Sequence, residues 1–110
     1  MDRERRLRKT QDIGRVMREG RSWANPVLVL RGTSNGLPKS RFAFVVGRRV
    51  GPAVVRNRVK RRLREAARQV PVQEGWDLVF IARGPAALSD YQGLAEAVGL
   101  LLRRAHLLLL

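Results

Sequence analysis

The sequence contains no cysteine and one histidine, His106. Without thiols there is no disulfide framework, no thiolate metal site and no cysteine nucleophile. A single imidazole leaves almost no material for a His-based triad or a His-rich zinc site. Acids are scarce as well. The nine are Asp2, Glu4, Asp12, Glu19, Glu65, Glu74, Asp77, Asp90 and Glu96, and they form no dense motif. A protein nuclease needs grouped carboxylates for metal ions or an acid–base set, so self-sufficient hydrolysis is disfavoured. No run of about 18 apolar residues exists, which excludes a hydrophobic membrane-spanning helix and leaves no membrane partner to expect. The first 20 residues lack the apolar core of a secretory signal, and their four acids argue against a transit peptide. A cytoplasmic protein is the expectation.

What is present is positive charge. The 110 residues suit one domain, here 1–110, and 45% hydrophobic content suits a folded one. The net charge is +14 and the isoelectric point about 11.9, well above the level of about 9 that points to nucleic-acid binding. The first 70 residues hold 20 of the 23 basic side chains and 5 of the 9 acids. The binding surface therefore belongs to the first two-thirds, and the last third is scaffold. Only Lys9, Lys39 and Lys60 are lysines; arginine offers a planar fork suited to phosphate oxygens. A GC-rich genome or a thermophilic source also accounts for that ratio, but not for the clustering.

Residues 10–19 read as a short helix, with Thr10 as N-cap and Gly20 as C′ glycine. Ile13, Val16 and Met17 form its apolar stripe, with Arg15 and Arg18 pointing elsewhere. Residues 27–31 and 41–46 read as two strands of a hairpin, with Asn35-Gly36 as a turn signal between them. Residues 77–82 form a buried strand. Residues 52–69 are the clearest helix, with Val55, Val59, Leu63, Ala66 and Val70 on one side. Residues 90–105 form the last helix, with Ser89 and Gln92 matching a capping box. The order αββαβα predicts an α+β, two-layer sandwich: a small mixed sheet with helices packed on it. Leu107 to Leu110 either pack on the domain or fray.

The helix at 52–69 carries the functional signal. From 56 to 68 there are seven basic residues and one acid. On a helical wheel Asn57, Arg61, Arg64 and Arg68 point to solvent. Arg58 and Lys60 flank the helix, and Arg56 and Arg62 lie near the edge of the buried face. Like charges at i, i+3 and i+4 destabilise a free helix, so this arrangement points to an anionic partner. A helix half-buried on a sheet suits phosphate, sugar and shape contacts with structured RNA better than major-groove readout of DNA. Phe42 and Phe44 are either core or offer a stacking face to an unpaired base.

The stretch Arg41 to Arg64 resembles the signature of the bacterial ribonuclease P protein subunit. The matching residues are Arg48-Arg49, then Gly51-Pro52-Ala53-Val54, then Arg56-Asn57-Arg58-Val59-Lys60-Arg61. Leu7 to Asn25 is similar to the family's first helix and following turn, and Ile81 to Ala86 to its late Ala-Arg-x-Pro-Ala motif. The resemblance implies a protein that joins a large catalytic RNA and assists endonucleolytic removal of the 5′ leader of precursor tRNA. It implies that Mg²⁺ is bound by the catalytic RNA and substrate, that no protein residue is catalytic, and that no obligate protein partner or DNA is involved. It implies catalytic-RNA contacts through Arg48, Arg49, Arg56, Asn57, Arg58, Lys60, Arg61, Arg62 and Arg64. The leader would lie in a cleft between the first helix and the sheet, for which the candidates are Ile13, Met17, Arg31, Phe42, Phe44 and Arg83. Ile13 and Met17 occupy positions where relatives carry aromatics, and Arg31 where some do; Ile13 and Met17 line either the cleft or the core. The implied fold adds a left-handed βαβ crossover at the basic helix and room for a fourth strand. The alternative function is a ribosomal protein or ribosome-assembly factor, which shares the charge, the RNA partner and the small α+β fold. A DNA-binding regulator is a further alternative, without the helix-turn-helix spacing it needs.

Overall fold

The computed structural model describes residues 1–109. Its elements are α1 (Thr10–Glu19), β1 (Arg21–Ala24), β2 (Leu28–Ser34), β3 (Arg41–Val45), α2 (Ala53–Arg68), β4 (Trp76–Ala82) and α3 (Tyr91–Arg104). Short 3-10 turns occupy Arg3–Arg5, Arg48–Val50 and Gly84–Leu88. One mixed sheet of four strands has the order β1-β2-β4-β3.

The strand at 27–31 and the strand at 41–46 do not pair as a hairpin. β4, the most apolar strand, sits between them, antiparallel to β2 and parallel to β3. A run such as Leu78-Val79-Phe80-Ile81 has no polar face to give to solvent, so it takes a central position covered on both sides. β3 is left as an edge, partly covered where the Leu7 N–H donates to the Phe42 carbonyl at 2.8 Å. The fourth strand is β1, paired with β2 from Arg21↔Gly32 to Ala24↔Val29. α2 makes the crossover between the parallel strands β3 and β4.

Side chains alternate along each strand, so the sheet has two faces. One carries Leu28, Leu30, Phe42, Leu78 and Phe80 and packs on α2 and α3 through Val59, Leu63, Leu94, Val98, Leu101 and Leu102. The other carries Ala43 and Val79 and packs only on Val16 of α1 and on Leu7. Ile13 and Ile81 are half-buried at its margin. Burial of apolar area scales the stabilisation, so α2 and α3 hold the domain together while α1 is lightly held by apolar contact.

Three helix ends differ from expectation. Lys9, not Thr10, is the N-cap of α1, and it makes no side-chain bond there. Asp90, not Ser89, caps α3, accepting from the Gly93 N–H at 2.8 Å; the Ser89 hydroxyl turns back to the Pro85 carbonyl. Gly20 ends α1 in an extended conformation, not a left-handed one. A Cβ there would collide with the Val16 carbonyl oxygen, so close backbone approach is what requires glycine. The terminal leucines pack back on the domain: Leu107 is buried and Leu108 bridges Val72, while Leu110 lies outside the described residues.

Candidate nucleic-acid interface

α2 starts after Gly51-Pro52, where Pro52 is the N-cap and Gly51 has φ +155°. Val59, Leu63, Ala66 and Ala67 are buried, and Val55 and Val70 pack at the edges. With that face fixed, the cations fall as the wheel requires. Asn57, Arg61, Arg64 and Arg68 are exposed, and Arg56, Arg58, Lys60 and Arg62 are half-buried along the flanks. Two of the half-buried arginines are tethered by backbone carbonyls, which leave their charge uncompensated: Arg56 Nε donates to Gly51 O at 3.1 Å and Arg62 Nη1 to Ser89 O at 2.9 Å. Arg58 Nε is buried with no partner among the described residues. None of Arg48, Arg49, Arg56, Arg58, Lys60, Arg61, Arg62 and Arg64 has an ion pair among the described residues; on α2 only Arg68 does, with Glu65 at 2.6 Å.

At the C-terminal ends of β3 and β4 a recess of about 420 Å³ brings Arg48, Arg49 and Arg83 together over Val45 and Ile81. The Arg83 guanidinium is held by the Asn25 carbonyl at 3.1 Å. A second groove, of about 410 Å³, follows the outer edge of β3. Arg6, Arg8, Lys60 and Arg64 line it above Ile13 and Ala43. Arg6 and Arg8 are functional candidates that the sequence reading passed over. Their only signal was the basic run Arg5 to Lys9.

The leader-cleft candidates divide. Ile13 is half-buried and Met17 is 41% exposed, while Val16 takes the core position between them. Met17 is therefore a surface residue, and Ile13 belongs to both wall and core. Arg31 shares the α1 side of the sheet, where its Nη2 donates to the Gly20 carbonyl at 3.0 Å. Phe42 and Phe44 do not join them. Strand alternation turns both rings to the opposite face, where Phe42 is 5% exposed beneath α2 and Phe44 stacks on Phe80 at 6.0 Å between centroids. Phe42 is a core side chain and Phe44 is half-buried against the core, and both also line the edge groove.

Apart from Glu65, which pairs with Arg68 on α2, the ion-paired acids gather at the start of β3 and β4. Asp77 is fully buried at the start of β4. Its Oδ1 accepts from Arg41 Nε at 2.8 Å and Asn35 Nδ2 at 2.9 Å, and its Oδ2 from Arg41 Nη2 at 2.7 Å and Arg15 Nη2 at 3.3 Å. Burial pushes its carboxyl up, but hydrogen bonds from Arg41 and Asn35 and the charges of Arg41 and Arg15 outweigh that and hold it below the usual value. Arg15, expected to point elsewhere, reaches from α1 to this site. Nearby, Glu74 takes a forked pair of bonds from Arg5 at 2.9 and 2.7 Å and one from the Ser40 N–H at 3.0 Å. Those bonds lower its carboxyl to about 2. Glu4 pairs with Lys39.

Such a surface binds polyanions: guanidinium groups without counter-ions, tethered by neutral carbonyls, pre-arranged for phosphate oxygens. Comparison with known proteins agrees. The family model described as Ribonuclease P matches residues 1–106. The "Ribonuclease P protein component" of Roseiflexus castenholzii is 45% identical over 108 residues, covering 96% of this chain and 88% of that one. Among solved structures, the Staphylococcus aureus RNase P protein superposes with a TM-score of 0.85 at 27% identity, covering 94% of this chain and 97% of that one. The Thermotoga maritima RNase P protein gives 0.82 at 33% identity, covering 90% and 96%. The chain belongs to the ribonuclease P protein family.

Proposed function

We propose that this chain works as the protein subunit of an RNA-catalysed ribonuclease P, binding the catalytic RNA along α2 and the 5′ leader of precursor tRNA on the α1 side of the sheet. The observation that carries the reading is the set of eight basic side chains on α2 and the turn before it, none with an ion pair among the described residues. The leader path runs beside Ile13, Met17 and Arg31 toward the recess of Arg48, Arg49 and Arg83. Neither Ile13 nor Met17 gives an aromatic stacking face, so the protein holds a leader mainly by charge and by apolar contact with ribose and base.

In this reading Mg²⁺ is bound by the catalytic RNA and its substrate. The protein's own donors do not fit such a site. Among the described residues no three His, Cys, Asp or Glu side chains gather to hold a metal. Glu4, Asp12, Glu65, Glu74 and Asp77 are paired with cations, and Asp90 is a helix cap. The protein's part is to neutralise phosphates and align two RNA molecules.

The test is precursor-tRNA cleavage at low Mg²⁺ with the protein alone, a matched bacterial ribonuclease P RNA alone, and both. Correct 5′ cleavage only with both is expected. Cleavage by the protein alone would overturn the reading.

A further inference from the structure

α1 forms one wall of the proposed leader path, yet Val16 is its only buried residue. Its hydrogen-bonded and ionic ties to the sheet are more numerous. Arg15 reaches Asp77 Oδ2 at 3.3 Å and the Ser34 carbonyl at 3.4 Å. Asp12 meets Arg41 Nη1 at 3.5 Å. Both ties converge on one object, the Arg41–Asp77 pair, whose two-pronged geometry fixes the guanidinium plane. Asn35 closes the cluster, bonding Asp77 with one amide hydrogen and the Lys39 carbonyl with the other. A buried carboxylate with three partners is poor value as a stabiliser, since desolvation offsets much of its attraction. It is well suited to fixing geometry, because Asp77 is fully buried and loses charge compensation when Arg41 or Arg15 is displaced.

We infer that Asp77 is a positioning residue for leader recognition: through Arg15 and Arg41 it sets the distance of α1 from the sheet, and so the width of the path that the leader enters. The role rests on the leader reading above. α2 packs on the opposite face and is not tied to the cluster, so catalytic-RNA binding is independent of it.

The experiment uses holoenzyme reconstituted with a bacterial ribonuclease P RNA and two precursor tRNAs, one with a long single-stranded leader and one with a single-nucleotide leader. The readout is the preference for the long leader, alongside protein affinity for the RNA. Asp77→Asn should reduce that preference about 5- to 30-fold, through KM and not kcat, with RNA affinity unchanged. Arg15→Ala and Asp12→Asn, which alter partly exposed residues, should reduce it less and carry the test if Asp77→Asn does not fold. Leu101→Ala, in the core of the other face, should lower the melting temperature and keep the preference. Wild-type preference in the Asp77 and Arg15 variants would overturn the inference, as would an equal loss in Leu101→Ala. If the wild-type holoenzyme shows no leader preference, the leader reading fails and this role fails with it.

Discussion

β3 and β4 run parallel, and the two ends of that pair are opposites in charge chemistry. At their start, Arg5, Arg15, Lys39 and Arg41 are each matched to Glu74, Asp77, Glu4 or Asp12. At their finish, Arg48, Arg49 and Arg83 have no acid among the described residues, and α2 extends the same condition through Arg64. Both ends are rich in arginine, so composition does not separate them; the placement of a few carboxylates does. At one end arginine is a structural clamp. At the other it is held ready for an anion that the protein does not supply. A net charge of +14 conceals this division of labour.

The largest expected effect tests the open end. If α2 and its neighbours contact 6–10 phosphates, affinity for the ribonuclease P RNA should fall about 10³–10⁵-fold between 50 and 200 mM salt; a flat response in filter binding would remove the distinction. Next is the closed end. Asp77→Ala leaves Arg41 and Arg15 facing a void and should destabilise the domain by about 3 kcal/mol, read as a shift in the urea midpoint. Single cations sharpen the contrast. Arg61→Ala should lower the steepness of the salt dependence by about one, and Arg58→Ala should weaken assembly with native circular dichroism retained. Arg5→Ala should leave the salt slope unchanged. The smallest effect is in acid. Glu74 is held at about 2 against a usual value of 4.5, and Asp77 is also lowered. Stability from a depressed carboxyl is full above its unfolded value and is lost as pH falls through the folded one. The closed end should therefore weaken between about pH 4.5 and about pH 2. Glu74→Gln should make the urea midpoint less sensitive across that window, by a modest amount because Glu74 is 43% exposed and screened by solvent.

The sequence made α2 legible because one strong period, Val55-Val59-Leu63-Ala66, fixes the buried side and so every cation's direction. β4 was legible from its unbroken apolar run. What it did not reveal depends on contacts between distant residues. The hairpin expectation failed because β4, about 30 residues downstream of β3, outcompetes the local partner for both β2 and β3. β1, with the sequence Arg-Ser-Trp-Ala, is too short and too exposed to show a period. Phe42 and Phe44 alternate correctly, but alternation does not say which face α1 covers. The Arg15–Asp77 tie spans 62 positions and has no local signature. Asp90 replaced Ser89 as cap within the usual uncertainty of a helix boundary.

The strand order has a consequence for a chain being made on a ribosome. β1 and β2 pair as neighbours and close as soon as both emerge. β3 is synthesised next and has no sheet partner until β4 follows, after the whole of α2 has been translated. Until then the basic helix lacks the completed sheet it packs on, and an uncovered strand edge waits beside it. Closure of the domain is thus a late, long-range event of the kind that folds slowly and leaves a newborn chain open to mispairing.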